Sequence, residues 1–304
     1  MTSGPASSRD ADPYRSCSPA PTLIGGQLFE WGKRTFVMGI VNVTPDSFSG
    51  DGLLGAAADP AGIAETAAAL AGRMVAEGAD IVDVGGESTR PGHAAVGEEE
   101  EIARVVPAIG AIHAALQNTP ISVDTSKPAV AAAALDAGAS LLNDVWGVSA
   151  DDTMARLAAE RHVPLVLMHN RAEARYGDLM AELLGDLRAA VERAVRAGVP
   201  AENLILDPGF GFGKTPEHNL LVLRELARMR ELGRPILLGT SRKSTIGRVL
   251  GDLPPDKRLE GTLATTALGI AAGADMVRVH DVLANVRVAR VCDAVLRARP
   301  EVAS

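Results

Sequence analysis

An alternation constrains this chain more than any other feature. From Thr35 onward, short apolar runs rich in β-branched residues take turns with stretches rich in Ala, Leu and Val that carry helical periodicity. The strand candidates are FVMGIVN, DIVDVGG, PISVDT, LLNDVWG, PLVLMH, LILDPG, PILLGT and MVRVHD, eight in all. Helical spacing is clearest over 60–77, 98–116, 179–197 and 217–232. Strands apolar on both faces are covered on both faces, and helices between consecutive strands call for parallel pairing with right-handed crossovers. Eight such units fit a closed (β/α)8 barrel better than an open doubly wound sheet, which has about six strands and a phosphate-binding first turn.

Residues 22–300 therefore read as one barrel domain, and no second domain is needed. Ahead of the barrel, "LIGGQLFEWGKRT" contains two short runs joined by Glu30-Trp31-Gly32-Lys33, a hairpin over 23–35 expected to cover the N-terminal end of the barrel. Residues 1–21, rich in Ser, Pro and charge, lack the apolar core of a secretory signal and read as a disordered tail. No run approaches the ~18 to 20 apolar residues of a membrane span. With 30 Lys plus Arg against 38 Asp plus Glu, a net charge of −8 argues against a general nucleic-acid or membrane-surface binder. An anionic ligand then needs a local cluster of cations. Two cysteines, Cys17 and Cys292, support neither a disulfide framework nor a metal site and point to a reducing cytoplasm.

In such a barrel, reactive groups belong at the C-terminal ends of the strands. Polar residues fall there on strand after strand: Asn42, then Asp83 with the loop "GGESTRPG", Asp124, Asn143 with Asp144, His169, Asp207, "TSRK", and Arg278 with His280. Some of these have plainer readings. Asp83 can bond backbone amides of a neighbouring loop, and His169 can be a satisfied core histidine. The run from Glu98 to Glu101 opens a helix and reads as its solvated, dipole-complementing first turn. Asp46 and Asp51 sit in Pro-Asp and Asp-Gly pairs that favour turns.

"DPGFGFGKT", Asp207 to Thr215, invites a nucleotide reading that its spacing rejects. A P-loop needs glycine where Pro208 stands, and a dinucleotide motif fails because Gly213 arrives one residue early. Its glycines instead suit a close approach to a flat ligand, with Phe210 or Phe212 offering a ring edge. Asp124, Asp207 and the Asn143 amide suit a planar heterocycle with adjacent N–H donors, and Lys243 can meet its ring carbonyl. Arg278 and His280 share one side of a strand and, with Asn42, suit a phosphate or a metal-phosphate complex. There is no HExxH, Cys/His cluster or G-x-S-x-G elbow, so a reaction without a protein nucleophile fits best.

Six blocks carry a resemblance to a known family: "MGIVNVTPDSFSGDG", "GADIVDVGGESTRPG", "ISVDTSKPAVAAAALDAGASLLNDVWG", "LILDPGFGFGKTPEHNLLVLREL", "PILLGTSRKSTIG" and "RLEGTLATTALGIAAGADMVRVHDV", running from Met38 to Val282. The chain resembles the bacterial monofunctional dihydropteroate synthases. The resemblance implies a (β/α)8 barrel that condenses (7,8-dihydropterin-6-yl)methyl diphosphate with 4-aminobenzoate, in folate synthesis, by SN1-like loss of diphosphate. It assigns the pterin to Asp124, Asn143, Asp207, Lys243 and Arg278, and the diphosphate to Asn42, Thr89, Arg278 and His280. It assigns 4-aminobenzoate to Phe48, Thr89, Arg90, Pro91, Phe212 and Ser244, with Mg2+ on Asn42 and with Asp46 and Asp51 among the catalytic groups. It also implies a homodimer.

Two departures stand out. The family commonly reads Ser-Asp-Gly-Gly after the first-loop Phe, where this chain has Ser49-Gly50-Asp51-Gly52, and the segment "MHNRAEARYGDLM" is shorter than usual, leaving His169 and Asn170 without roles. Two other readings remain open on the residues: a cobalamin-linked methyltransferase of the related barrel group, which has no need of the cation cluster, and a silent paralogue that binds a pterin or a protein.

Overall fold

A computed structural model describes residues 18–44, 60–87, 96–147 and 151–297. A hairpin of β1 (Thr22–Ile24) and β2 (Gln27–Phe29) precedes eight strands: β3 (Phe36–Asn42), β4 (Ile81–Gly85), β5 (Ile121–Asp124), β6 (Leu141–Asp144), β7 (Leu165–Met168), β8 (Leu204–Asp207), β9 (Leu237–Leu238) and β10 (Met276–Val279). They pair in parallel in the order β8-β7-β6-β5-β4-β3-β10-β9. A parallel bridge between Leu206 and Ile236, with the Leu206 N–H donating to Pro235 O at 2.9 Å, joins the two ends and closes the barrel. Strand β9 is short for a local reason: the Ile236 N–H donates to the Asp275 carboxylate at 3.1 Å instead of to a strand, and Pro235 has no N–H to give.

The outer layer comprises α1 (Pro60–Ala76), α2 (Glu98–Ala115), α3 (Pro128–Asp136), α4 (Thr153–Arg161), α5 (Leu179–Arg196), α6 (Pro216–Arg224), α7 (Ser244–Val249), α8 (Leu259–Ala271) and α9 (Val282–Leu296). Helix α5 shows how sequence makes these elements: Asp178 caps its start by accepting from the Ala181 N–H, and Leu179, Leu183, Leu187, Ala190 and Ala194 form one buried stripe. The periodic stretch 217–232 is not one helix. It breaks after Arg224 into a 3-10 segment, Leu226–Leu232, whose Leu226 and Met229, three residues apart, share one buried face at three residues per turn and continue from buried Leu223 at the end of α6.

The hairpin turns at Gly25-Gly26, not at Glu30–Lys33. Both glycines have positive φ, 55° and 80°, the combination that a two-residue turn of matching twist requires and that side-chain-bearing residues resist. Ile24, Phe29 and Trp31 then pack with Phe36, Met38, Ile81, Leu141, Val166, Ile205, Leu237 and Met276, the inward residues from the lower half of the barrel. Strand parity does the rest. Two residues further along four of the eight strands, the same inward face carries Asp83, Asn143, Asp207 and Arg278, so an apolar floor gives way to a polar upper layer.

Candidate active site

The upper layer is organised around Arg278. Its Nε donates to Asp83 Oδ2 at 2.6 Å, and its Nη2 lies 2.6 Å from Asp83 Oδ2 and 2.6 Å from Asp124 Oδ2. Asn143 Nδ2 also donates to Asp83 Oδ2, at 3.4 Å. Asp83 therefore does not bond loop amides, the plainer reading of its sequence position. It lies on the inward face of β4, fully buried, because strand parity aims it into the barrel, where the Arg278 guanidinium of β10 meets it. Burial disfavours the Arg278 cation, yet Asp83 and Asp124 outweigh burial and hold its pKa above the ordinary range. Burial pushes Asp124 up to about 7; Arg278 opposes the rise and Asp83 adds to it. One oxygen on each carboxylate, Asp83 Oδ1 and Asp124 Oδ1, is buried without a hydrogen bond among the described residues.

Opposite lie Asp207 and Lys243. Asp207 Oδ1 accepts from the Gly209 N–H at 2.7 Å, and burial raises its pKa against the pull of Lys243 and of that amide. The Lys243 ammonium donates to Phe210 O and sits 4.0 Å from the centre of the Phe212 ring. Burial lowers its pKa to about 8, with Asp207 holding it up. Ser244, exposed, follows at the first residue of α7. Asn42 ends β3, half-buried; a Cβ placed on Gly85 would lie 3.8 Å from Asn42 Oδ1 and 3.8 Å from Asp124 Oδ2, so glycine keeps open a gap shared by the two side chains. His280, just past β10, is 2.9 Å through Nδ1 from the buried Ser241 hydroxyl, which accepts from the His280 N–H at 3.1 Å. Asp46, Phe48, Asp51, Thr89, Arg90 and Pro91 lie outside the described residues.

Several readings change here. Two of the three glycines of "DPGFGFGKT" meet the chain's own backbone, a Cβ on Gly209 striking the His169 carbonyl and one on Gly213 lying 2.7 Å from the Arg171 nitrogen, while one on Gly211 would lie 2.7 Å from the Lys243 side chain. Phe210 is buried and offers no edge, leaving Phe212 as the available ring. Lys214, which sequence reasoning passed over, pins this loop by donating to the carbonyls of Gly209 (3.1 Å), Phe212 (3.0 Å) and His169 (3.3 Å) while lying 2.9 Å from His169 Nδ1. His169 is a satisfied core histidine, fully buried, its Nε2 on Asp186 at 3.2 Å. Nδ1 facing an ammonium must accept, so Nε2 carries the proton. Arg242, in the left-handed region at φ 56°, forks onto Asp281 at 2.7 and 3.0 Å and is a clamp between segments. Glu101 is not on a solvated face: it is 1% exposed and takes Lys127 at 2.5 Å, which also binds Glu87 at 2.5 Å.

A polar cage of this composition on a barrel's C-terminal face can hold a flat, donor-rich heterocycle, and comparison with known proteins decides which. The family model of pterin-binding enzymes matches residues 38–280. The chain belongs to the pterin-binding enzymes, as a member of the dihydropteroate synthases. A dihydropteroate synthase of Clostridium beijerinckii is 52% identical over 275 residues, covering 90% of this chain and 99% of that protein. Among solved structures, a synthase of Clostridium difficile crystallised in the presence of pteroic acid superposes with a TM-score of 0.84 at 48% identity, covering 89% of this chain and all of that one. One of Xanthomonas albilineans with 4-aminobenzoic acid gives 0.84 at 42% identity, covering 93% and 100%. Family membership makes the chain a transferase of folate synthesis.

Proposed function

We propose that the cage above the barrel floor binds the pterin of (7,8-dihydropterin-6-yl)methyl diphosphate, and that the chain joins it to 4-aminobenzoate, releasing pyrophosphate and 7,8-dihydropteroate. The observation that carries the residue roles is the set of buried Asn143 and Asp207 with half-buried Asp124, Lys243 and Arg278, which places carboxylate acceptors and cationic donors around one space at one depth. In this reading Asp124 and Asp207 accept ring N–H bonds, Asn143 presents its amide and Lys243 meets the ring carbonyl.

The C–O bond to the diphosphate breaks with its electrons leaving on oxygen, and the methylene cation delocalises into the electron-rich reduced pterin. Arg278, His280 and Asn42 hold the departing charge, and the aniline nitrogen then attacks and loses its proton to solvent. Phe212 and Ser244 border the arylamine, and the reading keeps Phe48, Thr89, Arg90 and Pro91 as further contacts to it and Asp46 and Asp51 among the catalytic groups. Asn42 fits Mg2+ as a single neutral oxygen ligand: its carboxamide makes no hydrogen bond to another described residue, and Mg2+ keeps several waters and binds chiefly through phosphate oxygens. When bound, the ion neutralises diphosphate charge.

Incubation with the pterin diphosphate, 4-aminobenzoate and Mg2+ should release pyrophosphate in step with dihydropteroate. No release would rule out the synthase reading and leave the silent paralogue. A homodimer belongs to the same proposal, supported by Leu268 on α8 and Val291 and Val295 on α9, which are 59%, 64% and 75% exposed on adjacent helices. Val295→Glu should convert a dimeric sedimentation boundary to a monomeric one; an unchanged boundary would remove this face from the interface. A cytoplasmic location is part of the reading, because reduced pterins oxidise readily outside a reducing compartment.

A further inference from the structure

We infer that Asp83 is a positioning residue, which never touches substrate but sets both Arg278 and Asn143 for pterin binding by gathering their donors on one carboxylate oxygen. Asp83 is fully buried in the middle of β4, in the same inward layer as Asn143, Asp207 and Arg278. Its Oδ2 receives Arg278 Nε at 2.6 Å and Asn143 Nδ2 at 3.4 Å, and lies 2.6 Å from Arg278 Nη2. Those donors come from β10 and β6, so one oxygen fixes groups from two other walls of the barrel. A guanidinium presents a planar fork, and engaging its Nε edge fixes its plane where a single contact would leave it free to swing.

The Arg278 Nη1 edge makes no hydrogen bond to any described residue, and this is the edge the arrangement leaves for a ligand. Charge balance points the same way. Arg278 and Lys243 face Asp83, Asp124 and Asp207 in this layer. Without the Asp83 charge, Arg278 has only Asp124 as a close partner and would be drawn fully onto it, occupying the carboxylate that the pterin needs.

The inference rests on the proposed ligand role of Arg278, and a double-mutant cycle separates the two. Asp83→Asn keeps the shape and one acceptor but removes the charge; it should raise KM for the pterin diphosphate about tenfold while KM for 4-aminobenzoate stays within about twofold. In an Arg278→Met background the same substitution should add nothing further. Equal effects in both backgrounds, or parallel rises in both KM values, would mark Asp83 as a structural residue only. A raised pterin KM in Arg278→Met beside an unchanged one in Asp83→Asn overturns the inference alone; an unchanged KM in Arg278→Met overturns the ligand role of Arg278 and the inference with it. Should Asp83→Asn not fold, Arg278→Lys, which keeps the charge without the fork, should show the same KM split, and KM values like those of the unmodified enzyme would refute the positioning role.

Discussion

Replacing Asp207→Asn sets binding against stability in a way the geometry fixes in advance. Asp207 is 6% exposed, and the hydrogen bond its carboxylate takes among the described residues is the one Oδ1 accepts from the Gly209 N–H at 2.7 Å. An asparagine keeps that bond through its own Oδ1, so the loop after β8 retains its anchor. The second oxygen, which faces the barrel mouth near Gly239, becomes an NH2 and meets a ring N–H donor to donor. One mismatched buried pair costs about 1–3 kcal/mol, which is roughly 5- to 150-fold in Kd. The loss deepens because Lys243, already lowered to about 8 by burial, loses the carboxylate that holds its charge.

Stability should move the other way. Burial raises the folded-state pKa of Asp207 above its unfolded value, so the ionised carboxylate works against folding above that unfolded value, and its neutral replacement removes the burden. Calorimetry with 6-hydroxymethyl-7,8-dihydropterin, beside thermal melts at pH 8 and pH 5, reads both quantities. The expected result is weaker binding with an equal or higher Tm at pH 8, and a Tm difference that narrows at pH 5. Affinity within twofold of the unmodified enzyme, or a fall in Tm that tracks the loss of affinity, would show that Asp207 anchors the loop and nothing more.

Burial, with the Lys214 ammonium second, pushes His169 down to about 4 from 6.5. The unfolded chain therefore binds the extra proton between those values, stability is lost as pH falls through that window, and full titration is worth roughly 3 kcal/mol. His169→Gln should flatten the dependence of unfolding free energy on pH between 6.5 and 4.5; an unchanged slope would refute the neutral buried imidazole. Lys127→Met strands Glu101, 1% exposed, without its cation. Urea unfolding should show a loss of about 3–5 kcal/mol, largely restored by adding Glu101→Gln, and a loss that the second substitution leaves untouched would mean the pair is not what stabilises this corner.

The alternation of strands and helices made the barrel legible, because period-2 and period-3.6 patterns survive in any context that buries one face. Asp124, Asn143, Asp207 and Arg278 could be placed together for the same reason: each closes or nearly closes a strand. What stayed hidden depends on which partner a side chain finds across the barrel. Asp83 has the parity of an inward residue, a visible signal, but nothing local says that Arg278, 195 positions away, points at it. Glu101 sits in a run of four acids, and only the Lys127 that follows β5 singles it out. The glycines after Asp207 looked alike for ligand approach or chain approach, since either needs the missing Cβ; Lys214, the lone cation closing that run, was the available hint of an internal anchor. The Gly25-Gly26 turn was legible from turn chemistry, and the Glu30–Lys33 segment drew attention from it because it holds glycine and charge.

The central claim is that the polar layer above the apolar floor is where the pterin sits. A crystal structure of the protein with 7,8-dihydropteroate should place the pterin ring between Asp124, Asn143 and Asp207, with Lys243 at the ring carbonyl, Arg278 alongside, Asp83 out of contact, and the aminobenzoate end toward Phe212 and Ser244. A ring bound elsewhere on the barrel, or in this cage without hydrogen bonds to Asp124 and Asp207, would contradict the account.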